Sequence, residues 1–481
     1  MLCNNVLAMA RRIQNWVPCL LLLSALTQPW LSTNLRAAER DSDIDQYSAN
    51  VAKAAQELIR LTPTHQQSLL RQPFSSTKRI SGRNTSGTPS FCGVVAWCRA
   101  QGLAQGDMKQ AQLFSLHRLL RQALSSGGYQ SLLAVMNRQR IIGELESVAD
   151  KNSVTRASEL YPFINAPSMQ SFSSLAYPTP RDWYPSVGGM TPLPDSQLIW
   201  TWSPPGPAIR KEQFDEYSLL ISGNPGVDDL WGLRFEGHHI TINITFDRDE
   251  SGVINIFSTP LFIGAFPMVI PQSPSSKNNG HQLWDWTQGQ SMLLGVTRSV
   301  KNFWLSLPDI DMKRAQIPTS SYEQSPPLLA DTPPNYLITA LDTHPDNDKI
   351  KNLNYIDINP RALSSNAVWN LLQAFEVYIS PMHSDIAYSY RHRLNTALRG
   401  DKSIRLAWSG GDLSEIGSHH YSYIEVGGLL LELFQSNRFS TQHTSTPSGN
   451  HVHGMLRDLH FDWVYPNPIK QHHMRHHHHA H

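Results

Sequence analysis

The spacing of apolar residues splits the chain into a helical beginning and a strand-rich remainder. Within residues 41–160, Leu113, Leu116, Leu119, Leu120 and Ala123 recur at helical period. Asp107 is the expected N-cap of that helix, and Gly127-Gly128 its expected stop. A further helix is expected from Tyr129 to about Val148. From Tyr217 the period shortens to two. Strands are expected at 218–222, at 233–237 running on into 238–246, and at 253–258, with a turn at 247–252. Helices are expected at about 288–306, 364–379 and 384–399. Strands then return at 405–408, 421–426 and 429–434, the last two joined by Gly427-Gly428.

Two stretches break the pattern. Residues 161–213 are dense in Pro, Trp and Tyr, as in Trp202-Ser203-Pro204-Pro205-Gly206-Pro207, and read as an irregular insertion, because proline at this density fits neither helix interiors nor central strands. Residues 315–336 form a second Pro-rich loop. The predicted fold is α+β. A helical region, 41–160, packs on an antiparallel sheet or sandwich within 214–465, built from 217–270 and 403–465. Pairing of those two stretches would bring His239 towards His451 and His453.

The 481 residues carry 40 Lys+Arg against 39 Asp+Glu, are 40% hydrophobic and only 16% charged. This is too apolar for a disordered chain and too neutral for a general nucleic-acid binder. The first 38 residues read as an export leader: Arg11-Arg12, a short apolar run from Val17 to Leu26, then Ala37-Ala38. The run is too short to span a bilayer, which needs about 20 apolar helical residues, so cleavage is expected over an uncleaved anchor. A periplasmic or extracellular destination follows, with no membrane span after cleavage. Outside the leader only Cys92 and Cys98 remain, as a small-loop disulfide or two free thiols. Residues 466–481 hold seven of the 21 histidines. This tail is expected to be disordered and to bind Zn, Cu or Ni loosely, whether natural or an added tag.

Three histidine motifs carry the candidate chemistry. His451-Val452-His453 would aim two imidazoles at one face of a strand. Neutral imidazole is the commonest protein ligand for Zn and Cu. In His238-His239, alternation gives His239 the company of Thr241 and Asn243, and sends His238 towards the core, where it would orient its neighbour. His239 is therefore the better ligand or general base. His419-His420 precedes a hairpin whose return strand holds Glu432 among leucines, a costly place for a carboxylate without a partner. Arg457-Asp458 would be an ion pair or a support for an imidazole. The chain has no His-Glu-x-x-His, no Gly-x-Ser-x-Gly and no phosphate-binding glycine loop.

These residues resemble the domain of unknown function 3500 family. The likeness is carried by Trp231-Gly232 through Gly237-His238-His239, Pro260-Leu261-Phe262-Ile263-Gly264-Ala265, Ala407-Trp408-Ser409-Gly410-Gly411, His420-Tyr421, Leu431-Glu432, and Asn450-His451-Val452-His453 with Arg457-Asp458. It covers most of residues 50–465. This chain departs from the family at Leu433-Phe434-Gln435, where the family continues its Ile-Glu with Tyr-Asp-Asn. The resemblance implies a shared His-rich site and supplies no activity. The leading expectation is an exported mononuclear metalloenzyme, hydrolytic or redox, acting on a small molecule or polymer. His239, His420, His451 and His453 would hold Zn or Cu, with His239 and Glu432 in catalysis. His238, Asn243, Arg457 and Asp458 would support them. The alternatives are a metal-delivery protein working through its tail, and a metal-free binding protein using the aromatic insertion.

Overall fold

The computed structural model describes residues 43–76, 82–83, 89–90, 101–151, 217–265, 268, 291–316, 355–410, 413–414, 420–436 and 451–462. The leader, Cys92 and Cys98, the insertion 161–213, most of the loop 315–336, His419 and the tail 466–481 lie outside the described residues. The chain divides into two compact units, Met1–Asn50 and Val51–His481. A helix over residues 43–61, α1, crosses that boundary. Among the described residues the second unit holds the sheet and seven further helices: α2 (Thr64–Leu70), α3 (Gln110–Ala123), α4 (Ser126–Lys151), α5 (Leu294–Leu305), α6 (Asp309–Ala315), α7 (Ser365–Ile379) and α8 (Ser384–Arg399). Among the described residues no helix is long and apolar enough to cross a membrane.

Twelve strands form one mixed sheet. They are β1 (Arg71–Gln72), β2 (Leu103–Ala104), β3 (Ser218–Ser222), β4 (Leu230–Gly237), β5 (Ile240–Arg248), β6 (Ile254–Phe257), β7 (Leu261–Ala265), β8 (Ile356–Ile358), β9 (Ile404–Gly410), β10 (His420–Val426), β11 (Leu429–Ser436) and β12 (His451–Asp458). The order is β1-β3-β4-β5-β7-β12-β11-β10-β9-β8, with β2 on β3 and β6 on β5. All pairings are antiparallel except β1 with β3. The α+β class is as expected, and the strands of 217–265 and 404–458 belong to this one sheet where a sandwich was an alternative, while Gly82–Arg83 and Pro89–Ser90 pair as a separate two-stranded sheet. The two strand-rich stretches meet through β7, which pairs with β5 at Ile240↔Ile263 and with β12 at His453↔Gly264.

Period-two alternation gives the sheet two unlike faces. One is apolar: Trp231, Leu233 and Phe235 of β4, Ile240, Ile242, Ile244 and Phe246 of β5, and Leu429, Leu431 and Leu433 of β11. Trp231 stacks on Phe246 at 4.2 Å. Helices α5, α7 and α8 reach this face. Trp304 donates to Ser422, Tyr378 lies against Gly454, and Arg393 pairs with Asp458. The other face carries Arg234, Glu236, Thr241, Asn243, Glu432, His453 and Arg457 by register. It too is buried.

Three local expectations change. The helix expected to begin after Asp107 starts at Gln110, because Gln105–Asp107 forms a separate 3-10 turn and Gln112 Oε1 instead accepts the Lys109 amide at 2.9 Å. Gly127-Gly128 opens α4 instead of stopping α3. The reason is contact: a Cβ on Gly128 would stand 2.1 Å from the Pro381 carbonyl oxygen. His238-His239 does not continue a strand. It is the two-residue turn of the β4–β5 hairpin, closed by the Gly237↔Ile240 pair.

Gly454 is required by the helix layer, since a Cβ there would lie 1.6 Å from Tyr378 Oη and 2.4 Å from its Cζ. The buried Tyr378 hydroxyl has no hydrogen-bond partner among the described residues. Gly454→Ala is expected to lower stability by about 1–3 kcal/mol through overpacking. Tyr378→Phe in that background should recover part of the loss and alone should cost little, as read from urea-denaturation midpoints. Equal stability of wild type and Gly454→Ala would show that the helix yields.

Candidate functional site

The hairpin turn and strand β12 bring two imidazoles together. His239 takes a left-handed backbone, φ 67°, in a turn position where glycine is the usual residue. A non-glycine residue there costs about 1–2 kcal/mol. Strain of this kind gathers at functional sites. The turn lays the His239 ring against His453, ring centroids 5.1 Å apart, and His238 stacks on His239 at 3.8 Å. Gly264 of β7 makes the room, since a Cβ there would stand 2.7 Å from His239 Cδ2 and 3.0 Å from His453 Cδ2. Phe262 meets the His453 ring edge-on at 5.3 Å. Tyr217 Oη donates to the His238 carbonyl at 2.8 Å and ties the turn down.

Burial decides the protonation of this cluster. His453 is 2% exposed. Loss of hydration pushes its pKa down to about 3, and His238 nearby adds a smaller lowering. The half-buried His238 is also pushed down by desolvation. Both rings are therefore neutral near pH 7, the form that accepts a proton or binds a metal.

Glu432 is fully buried and takes a hydrogen bond from Tyr421 Oη at 2.8 Å. By register it sits diagonal to His453, opposite Met455 and Tyr423, on the same face. Further along this face Arg234 Nη2 pairs with Glu236 Oε1 at 2.6 Å, and Thr241 Oγ1 donates to the same oxygen at 2.9 Å. His451 stands two positions before His453, opposite Ser436. Its side chain lies outside the described residues.

Several expected partners work elsewhere. His420 faces the other side of the sheet: it opposes Gln435, which opposes Val452, and its Nε2 shares a 2.5 Å hydrogen bond with Ser422 Oγ, itself held by Trp304 Nε1 at 2.7 Å. It therefore cannot join His239 and His453 around one ion. Asn243 does not reach an imidazole by its amide, which donates to the Pro260 carbonyl at 2.7 Å and shapes the entry to β7. Arg457 and Asp458 are adjacent on a strand, so they point to opposite faces and do not pair with each other. Arg457 Nε binds Asp462 at 2.6 Å and Asp458 binds Arg393. Burial raises the Asp462 carboxyl, and the Arg457 guanidinium opposes the rise.

Residues 45–464 match the profile of a protein family of unknown function, DUF3500. The chain belongs to the DUF3500 family. No curated protein and no solved structure matches it. In this DUF3500 chain Phe434 stands directly opposite His453.

Sequence reasoning passed over Arg234 and Glu236 and gave Thr241, Tyr421 and Gly264 no role in the site. The charges of Leu233-Arg234-Phe235-Glu236 carried a signal, because they sit inside a strand as Glu432 does. Arg234 is 1% and Glu236 0% exposed. Among the described residues no three His, Cys, Asp or Glu side chains are grouped as a metal ion would need.

Gly264→Ala is the minimal disturbance of the pair. The added methyl must displace the His239 ring or the His453 ring by a few tenths of an ångström or more. The expected result is a changed imidazole proton spectrum by nuclear magnetic resonance and a stability loss of about 1–3 kcal/mol. An unchanged imidazole spectrum would separate Gly264 from the pair.

Proposed function

We propose that the His239–His453 pair is the centre of an exported metal-dependent enzyme, hydrolytic or redox. The observation that carries the reading is the pair itself: one imidazole on the β4–β5 turn and a neutral one, His453, on β12, 5.1 Å apart, over a glycine that leaves them room. The donor chemistry fits Zn or Cu and does not suit Mg or Ca. His239 and His453 would hold the ion. His451, two residues before His453 in the sequence, is the candidate third ligand. A Zn or Cu ion there would supply Lewis acidity, or electron exchange in the case of Cu. Within the chain, His238 braces the His239 ring by stacking, and the buried Glu432, oriented by Tyr421, is the proton acceptor. Export rests on the leader, and the substrate is a small molecule or polymer outside the cytoplasm.

A second reading is favoured by the lack of a three-donor group among the described residues. In it the neutral imidazoles and Glu432 perform acid–base chemistry without a metal.

Elemental analysis of untagged protein ending before Pro466 separates the two readings, because that form lacks the histidine tail. The metal reading expects about one Zn or Cu per chain, with affinity reduced at least about tenfold in His239→Ala and in His453→Ala while circular dichroism is unchanged. A folded, metal-free body, or variants that keep the full metal content, would overturn it in favour of the acid–base reading.

A further inference from the structure

The outward side of α3 lines a cavity separate from the imidazole site. The inward side of this helix is the apolar stripe Leu116, Leu119, Leu120 and Ala123, all buried. The opposite positions, Phe114, His117, Arg118, Arg121 and Gln122, recur at helical spacing and, with Tyr129 of α4, line a cavity of about 700 Å³. This volume lies within the range of small-molecule sites, about 300–1,000 Å³. No residue is shared with the imidazole site.

The lining has a definite chemistry. It holds two guanidinium groups and no carboxylate. Glu57, outside the lining, attracts Arg118, but its carboxylate is bound to Arg60 at 2.7 Å. His117 adds no positive charge near neutral pH, since burial lowers its pKa. Its Nδ1 shares a 3.0 Å hydrogen bond with Tyr129 Oη, which locks the Tyr129 ring as a wall. The Arg121 guanidinium stands 6.0 Å from the centre of that ring. Phe114 offers a second flat apolar surface and is 69% exposed, costly for so large an aromatic side chain. Guanidinium forks select carboxylate and phosphate, and ring faces select a flat apolar body.

We propose that this cavity binds a small organic anion built on a flat ring. Arg118 and Arg121 take its carboxylate or phosphate, and Phe114 and Tyr129 take the ring.

Isothermal titration calorimetry on the full chain tests this with four probes: benzoate, phenyl phosphate, inorganic phosphate and benzyl alcohol. The ring-bearing anions are expected to bind saturably, at least about tenfold tighter than inorganic phosphate or benzyl alcohol. Benzoate against phenyl phosphate distinguishes the two headgroups. The double variant Arg118→Ala/Arg121→Ala should weaken both ring anions at least about tenfold. Phe114→Ala should weaken them while leaving inorganic phosphate unchanged. These side chains are exposed, so the variants keep the fold, as circular dichroism would verify. Absence of saturable binding by either ring anion would overturn the proposal. So would binding indifferent to loss of both arginines, which would place it on another part of the chain. Inorganic phosphate binding as tightly as phenyl phosphate would overturn the ring contact.

Discussion

The short strand β7 holds the molecule together at its centre. One of its edges pairs with β5 and the other with β12, so it joins the N-terminal group of strands to the C-terminal group in a single sheet. Its register is also what makes the site. Ile263 opposite Ile240 sets the hairpin turn at the height of Gly264, and Gly264 opposite His453 clears the space between the two rings. A slip of one residue would send Gly264 to the apolar face and put a side chain between the imidazoles.

Both faces of this sheet are buried, and that shapes its chemistry. On the apolar side, burial is served by helices and by a few satisfied polar groups, such as the Trp304–Ser422–His420 chain. On the other side, removal from water acts on ionisable groups. Arg234 and Glu236 answer it by pairing, Glu432 by taking the Tyr421 hydroxyl, and His453 by remaining neutral. A face so rich in buried polar groups costs stability that an ordinary core does not. The strained turn at His239 adds to that cost. Together they single this face out as the proposed site.

Much of the architecture was legible. The strand alternation of 218–222, 240–246 and 429–434, the helical period of α3, and helices α7 and α8 followed from local pattern alone. The leucines around Glu432 flagged its carboxylate as costly to bury, without deciding between burial and an exposed edge. The meeting of His239 with His453 was legible as an expectation of strand pairing. Less was legible at His238-His239, because a turn at that point requires a positive φ that histidine rarely adopts, so continuation of the strand was the natural reading. The role of His420 was misread for a similar reason. Its parity on β10 relative to His453 depends on pairings through β11, which lie outside any local window. Arg457 and Asp458 looked like partners because they are neighbours, and a strand turns neighbours apart.

The sequence by itself determined the periodicities, the polar and apolar sides of each strand, and the set of residues able to accept protons or bind a metal. These are properties of one segment at a time, set by side-chain chemistry and the backbone's repeat. Only the tertiary structure decided which of those residues meet. Register across five strands placed His453 with His239 and set His420 apart, and packing on every side turned the polar face from a solvated surface into a buried one. Both depend on contacts between residues far apart in the chain, and such contacts leave no period in the sequence.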